Sequence, residues 1–156
     1  MPKIRLSLAL IAITLAASAY AQGSGALLAG EWKGTYTCNQ GNTGLTLTIR
    51  EESAPTVDAT FFFYPVDGNP GVPSGTFVMR GTFDVSNGTL KLDPSHWLDM
   101  PQGYVMVGLE GQLGFNGKSL NGKVLFSGCT DFALARSEAL APGGMAPTSQ
   151  FLGPAP

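Results

Sequence analysis

The segment Asp93-Pro94-Ser95-His96-Trp97-Leu98-Asp99 gathers the chain's only histidine, two carboxylates and a hydroxyl. An imidazole changes charge near neutral pH, so this is where acid–base chemistry, or the gripping of a polar ligand group, is readable from residue types. The same residues also make a turn, started by Asp93 before Pro94 and with Trp97 covering apolar surface, and turn chemistry accounts for them without any reaction. Ser95 adjoins His96 in sequence, a poor placement for the side-chain hydrogen bond that activates a nucleophile. Asp67-Gly68-Asn69-Pro70-Gly71 has calcium-loop residue types but lacks the regular ligand spacing and the terminal Glu, and Pro70 stiffens it, so it reads as a turn. Glu51 and Glu52 adjoin on a strand and face opposite sides, which no paired-carboxylate mechanism uses. Asn87-Gly88-Thr89 matches a glycosylation sequon, but Asn-Gly is first a hairpin turn. One histidine and two cysteines do not supply a zinc ligand set. The expectation is a non-enzymatic protein without catalytic residues, metal or cofactor.

The two cysteines have a compartment. The chain opens Met-Pro-Lys-Ile-Arg, continues with an apolar run from Leu6 to Ala17, and reaches Ser18-Ala19-Tyr20-Ala21 before Gln22. A basic start, an apolar run too short to span a bilayer and an Ala-x-Ala pattern read as a signal peptide over 1–21, cut after Ala21. The mature protein is then secreted or periplasmic, with no membrane span. Both cysteines lie in the exported part, where an even count reads as one disulfide, Cys38–Cys129. Neither has a basic neighbour that would stabilise a reactive thiolate. Loss of Lys3 and Arg5 with the signal takes the net charge from −2 to −4, and no basic stripe is present, which disfavours nucleic acid as a partner.

Residues 22–29 form a small-residue lead-in, 30–136 the folded domain, and 137–156 a Pro-, Gly- and Ala-rich tail expected to be disordered. Phe151 and Leu152 in that tail are either a short docking motif or part of a frayed end. Within the domain, period-two alternation dominates. Strand 1 covers 31–38, with Trp32, Gly34, Tyr36 and Cys38 on one face. Strand 2 turns Leu45, Leu47 and Ile49 inward, and strand 3, over 56–64, turns Val57, Ala59, Phe61 and Phe63 inward. Strand 4 carries Phe77, Met79, Gly81 and Phe83 on its inner face. Strand 5 is short, around Leu90 and Leu92. Strand 6 covers 104–113 and is apolar on both faces at its start. Strand 7 carries Leu120, Gly122, Val124 and Phe126, and strand 8 carries Phe132 and Leu134 and ends at Arg136. Phe77-Val78-Met79-Arg80-Gly81 and Tyr104-Val105-Met106-Val107-Gly108 echo one another ahead of two Asn-Gly turns, as two similar hairpins rather than a repeat.

Eight antiparallel strands joined in order close into an up-and-down barrel, which removes both exposed edges. Opposed residues in an antiparallel pair have numbers of constant sum. That sum is 167 for Cys38 with Cys129 and 168 for Trp32 with Arg136, so one register serves both ends of a β1–β8 pairing. Arg136 would then lie over the Trp32 indole as a barrel-closing pair. The topology sends the longer connections and the disulfide to one end. Its mouth residues are Asn39, Gln40, Asp67, Asn69, His96, Trp97 and Asp99. The inward rings of Trp32, Tyr36, Phe61, Phe63, Phe77, Phe83, Phe126 and Phe132 either line a pocket or fill the barrel. Phe62, Tyr64, Tyr104 and Met106 would point outward as an apolar patch.

Gly30-Glu31-Trp32 at the start of strand 1, with an Arg ending the last strand, resembles the closed end of calycin barrels, the lipocalin and avidin class. The string from Trp32 to Gly41, Trp-Lys-Gly-Thr-Tyr-Thr-Cys-Asn-Gln-Gly, continuing into Thr43-Gly44-Leu45-Thr46-Leu47, is similar to an uncharacterised bacterial exported domain, a likeness that implies no activity. Tyr36-Thr37-Cys38 followed by Gly41 also resembles the opening strand of periplasmic C-type lysozyme inhibitors, whose Ser- and Lys-bearing inhibitory loop has no counterpart here. The functional expectation is a binding module for a small apolar ligand or a protein partner at the barrel mouth. The alternative is an inhibitor of an envelope or host enzyme such as a lysozyme, and a hydrolase around His96 ranks last.

Overall fold

A computed structural model describes residues 27–51 and 55–137. The expected signal peptide, the lead-in up to residue 26, the tail from residue 138 with Phe151 and Leu152, and Glu52 lie outside the described residues.

The strands are β1 (Gly30–Cys38), β2 (Gly41–Glu51), β3 (Thr56–Tyr64), β4 (Gly75–Asp84), β5 (Thr89–Asp99), β6 (Gly108–Leu113), β7 (Ser119–Leu125) and β8 (Asp131–Arg136). Each pairs with the next in antiparallel sense and β8 returns to β1, so the sheet is a closed eight-stranded barrel. The alternation that makes the strands also fills the interior. Trp32, Leu47, Phe61, Met79, Leu92 and Leu134 are buried, while Lys33, Arg50, Arg80, Lys91 and Glu110 stand outside in water. Apolar-in and polar-out is the inverse of a membrane-spanning barrel, whose lipid face is the apolar one. Among the described residues no helix is long and apolar enough to cross a membrane.

Closure follows the register expected from sequence. Trp32 opposes Arg136, Gly34 opposes Leu134 and Tyr36 opposes Phe132. Beyond Tyr36 the ladder gives way to a backbone bond from Thr130 to the Thr37 carbonyl and to the Cys38–Cys129 disulfide, which joins residues 91 apart in sequence. A covalent loop of that length stabilises a fold by about 4 kcal/mol in the chain-entropy account. Gly34 is needed for close approach, since a Cβ there would sit 2.0 Å from the Ala133 carbonyl oxygen.

The end opposite the disulfide is shut by Arg136. Its guanidinium carbon lies 4.2 Å from the centroid of the Trp32 ring. Its Nε donates to the Gly117 carbonyl at 3.0 Å and Nη1 to the Ala29 carbonyl at 2.8 Å, while Nη2 donates to the Leu27 carbonyl. Trp32 Nε1 donates to the Leu28 carbonyl at 2.9 Å. Leu28, which the sequence reading left in the lead-in, is fully buried and plugs the barrel floor. Its neighbours' carbonyls are held by an arginine more than 100 residues away, a tie that no local pattern encodes.

Two further expectations are corrected in detail. Asn87-Gly88 and Asn116-Gly117 both lie in hairpin connections, as expected, the first ending a four-residue loop (85–88) and the second within a five-residue loop (114–118). Gly88 and Gly117 take left-handed φ of 73° and 67°, and no non-glycine among the described residues does, so neither pair forms the two-residue primed turn. In the first loop Asp84 accepts from the Ser86 hydroxyl and amide and from the Asn87 side chain, which holds its carboxyl below the ordinary range. The Asn87 side chain is thus a turn element.

The second correction is β5, which runs on to Asp99 instead of stopping near Leu92. Its register with β4 slips twice, leaving Ser95 and Leu98 as extra residues. Each bulge breaks the period-two signal. Beyond Leu92 the strand has β4 alone as neighbour, because β6 pairs only with Thr89 to Leu92. Pro94, which has no N–H to donate, is tolerated on such an edge.

Arg136→Lys keeps the charge and loses the planar fork and the broad stacking surface. The expected loss is about 1–3 kcal/mol in urea unfolding at neutral pH, with Arg136→Ala costing more. An unchanged unfolding midpoint for the lysine variant would show that the closed end does not depend on the fork.

Candidate functional site

The barrel interior is packed, and a half-open cavity sits at its disulfide end. Around the closed end Trp32, Leu47, Ile49, Met79, Leu90 and Leu120 leave no exposed interior surface. Towards the disulfide end a cavity of about 370 Å³ opens. This lies at the lower end of the roughly 300–1,000 Å³ of small-molecule sites. Its floor and walls are rings. Phe61 stacks on Phe77 at 4.6 Å, Tyr36 meets Phe61 edge-on at 5.2 Å, and Tyr104 stacks on Phe63 at 5.3 Å. The disulfide, Asn39, Gln40 and Phe126 complete one side, and Val105 and Val107 come from the segment between β5 and β6.

The wall exists because β5 and β6 diverge. With the upper half of β5 unpaired to β6, residues 100–107 cross the gap. They turn at Pro101–Tyr104, where the Tyr104 amide donates to the Pro101 carbonyl and Gly103 takes φ of 80°. Tyr104, expected outward, therefore folds over Phe63, and the resemblance of 104–108 to 77–81 is not structural, since only the second lies wholly in a strand. The signal that could have revealed this cover is that 104–107 is apolar at every position, which a two-faced strand is not. Phe126, expected on the inner face of strand 7, lies past the end of β7. Half exposed, it forms part of the rim.

The seven sequence-named mouth residues separate into three groups. Asn39 and Gln40, the two-residue turn between β1 and β2, line the cavity. Gln40 Nε2 donates to the Tyr36 hydroxyl at 3.0 Å. Asp67 and Asn69 lie on a separate shallow groove beside that turn. Asn69 Nδ2 donates to the carbonyls of Gln40 at 2.6 Å and Asn42 at 3.1 Å, so it fastens the 65–74 loop to the first hairpin. His96, Trp97 and Asp99 lie on β5, not in a loop, and none of them lines the cavity. Trp97 packs behind the cavity wall, 5.2 Å from Phe77 and 6.3 Å from Phe63. His96 and Asp99 face water. Ser95 Oγ does reach His96 Nδ1, at 3.1 Å, contrary to the sequence reading, because the bulge at Ser95 turns adjacent side chains to the same side. Both groups are fully in solvent on the barrel's outer edge.

The chemistry of the cavity is apolar with a polar lip. Among the described residues, the lining contains no Asp, Glu, Lys, Arg or His. Burial, aided by Tyr104 nearby and opposed by the bond from Gln40, pushes the Tyr36 phenol up to about 12. Met100, Val105, Leu125 and Phe126 are exposed apolar side chains in the segments at this end, and Val105 and Phe126 line the cavity.

The Tyr36 shift has a definite sign. A phenol raised from about 10 to about 12 on folding stabilises the fold fully below pH 10, and that contribution is lost as pH rises towards 12. Two units correspond to about 2–3 kcal/mol. Tyr36→Phe should cost about 1 kcal/mol at pH 7 by leaving the Gln40 amide without its acceptor. It should also flatten the fall in stability between pH 10 and 12, read from denaturant unfolding at several pH values; equal slopes for the two proteins would contradict this assignment. In comparisons with known proteins, no family model and no curated protein matches this chain.

Proposed function

We propose that this is an exported, non-enzymatic binding module that holds a small apolar ligand in the cavity at its barrel mouth. The observation that carries the reading is the half-open cavity of about 370 Å³ at the disulfide end, floored by the buried rings of Phe61, Phe63 and Phe77. The Cys38–Cys129 disulfide in the wall is compatible with an oxidising compartment, as the reading of the first 21 residues as an export signal requires. The exposed pair of Ser95 and His96 has neither a cleft nor burial to support chemistry, and the hydrolase reading has nothing further in its favour.

Crowding the site from its rim tests this. Val105 is 55% exposed and lines the cavity, while Val85 is 45% exposed at the opposite end. N-phenyl-1-naphthylamine, a neutral probe that brightens in apolar surroundings, should bind the wild type one to one. Val105→Trp should weaken it by about tenfold or more, since a filled pocket forfeits the burial that drives binding. Val85→Trp should leave it unchanged. Absence of saturable binding, or equal effects of the two substitutions, would overturn the reading.

A second reading, a protein partner seated on the rim, is favoured by the exposed apolar side chains of Met100, Val105, Leu125 and Phe126. In its inhibitor form it requires a muramidase to be slowed at stoichiometric dose, and no slowing across several muramidases removes that form.

A further inference from the structure

We infer that the ligand of the mouth cavity is an uncharged, flat ring compound, and neither an anion nor an alkyl chain. This rests on the binding reading above and deepens it. Three observations carry it.

The first is electrostatic. The lining holds no ionisable side chain that is charged near neutral pH, and its Tyr36 phenol is pushed away from ionising. A carboxylate, phosphate or ammonium brought inside would give up its hydration and find no counter-charge, which costs far more than the apolar remainder of a small ligand returns. The carriers of fatty acids and nucleotides need a cation where this cavity has an amide and hydroxyls.

The second is geometric. The rings are arranged as two stacked pairs, Phe61 with Phe77 at an interplanar angle of 15° and Phe63 with Tyr104 at 16°. Tyr36 and Trp97 brace them edge-on. Phe61, Phe63 and Phe77 are buried beneath, and the rings that keep exposed surface are Tyr104 and Phe126; such a face or edge favours another ring in offset or T-shaped contact, by about 0.5–1.5 kcal/mol beyond the area buried. An alkyl chain gains the area alone. A cavity of about 370 Å³ also suits a compact ligand better than an extended one.

The third is the placement of polarity. Asn39, Gln40 and Ser127 lie together on the side of the disulfide, where the Gln40 amide already reaches the Tyr36 hydroxyl. Val105 and Val107, on the segment between β5 and β6, supply an apolar part of the lining away from them. One hydroxyl, ether or carbonyl on one edge of the ring is what this asymmetry accommodates.

The test is displacement of N-phenyl-1-naphthylamine from the full mature protein by three compounds of similar size: 2-naphthol, 2-naphthoate and 1-decanol. At pH 7 the expected order is naphthol first, with naphthoate weaker by about tenfold or more because its charge is buried unpaired. Decanol should be weaker than naphthol by about three- to tenfold, the loss of ring contacts. Tyr104→Leu, which keeps apolar volume and removes a ring at the rim, should narrow the naphthol–decanol gap while circular dichroism shows the barrel intact. Naphthoate or decanol binding as well as naphthol would overturn the ligand class and leave the binding reading standing. Failure of the fluorescent probe itself to bind, or binding indifferent to Val105→Trp, would overturn both.

Discussion

Everything in this fold depends on β8 lying beside β1 in one register. A sheet of eight strands left open would present two unpaired edges and an apolar face. Closed, it buries that face and keeps an open edge along β5 beyond Leu92. The pairing is short, from Trp32 with Arg136 to Tyr36 with Phe132, and it is secured beyond both its ends by different means. At one end a guanidinium lies on an indole and reaches backbone carbonyls of two other segments, and at the other a disulfide continues where the ladder stops. The polar clasp works by part-buried hydrogen bonds and a stacked indole beside the packed floor. The covalent clasp packs against the upper end of the core and lines the mouth cavity.

The interior between the two clasps is packed. Trp32, Leu47, Met79 and Phe83 are buried towards the floor, and Tyr36, Phe61, Phe63 and Phe77 towards the mouth. The mouth rings stack or meet edge-on, and the cavity opens above them. Divergence of β5 and β6 widens the same end, and the 100–107 segment covers the gap with Tyr104 without filling it.

Much of the barrel was legible because a period-two pattern is a local signal and closure leaves a numerical trace. The inward residues of β1 to β4, the Cys38–Cys129 pair and the Trp32–Arg136 contact all follow from alternation and from one sum rule. The upper half of β5 was not legible, for a physical reason: two bulges in eleven residues, at Ser95 and Leu98, destroy alternation, and Pro94 imitates a loop. A loop at 93–99 would set His96, Trp97 and Asp99 in the mouth, whereas the strand carries His96 and Asp99 along the outer edge and packs Trp97 against the core. The same bulge brought Ser95 to His96. Leu28 was missed because its burial is decided by Arg136 and Trp32, not by its own neighbours. Of the candidate site, Asn39 and Gln40 were found from topology alone, since the turn after β1 must lie at the disulfide end. Tyr104 and Val105 were not, since a segment that lies across a barrel obeys no strand period.

The separation of floor from mouth also bears on how the site can vary. Binding residues that double as the fold's closure can change only at the expense of stability. Here the closure residues and the cavity residues overlap at Tyr36 and at the disulfide alone, while Val105, Phe126, Asn39 and Ser127 take no part in the closed end. A rim residue that is half exposed contributes little to folding, so its side chain is free to answer to a ligand. Tyr36 is the exception and the link. Its ring is part of the buried wall, its backbone forms the last rung of the β1–β8 ladder, and its hydroxyl takes the bond from Gln40.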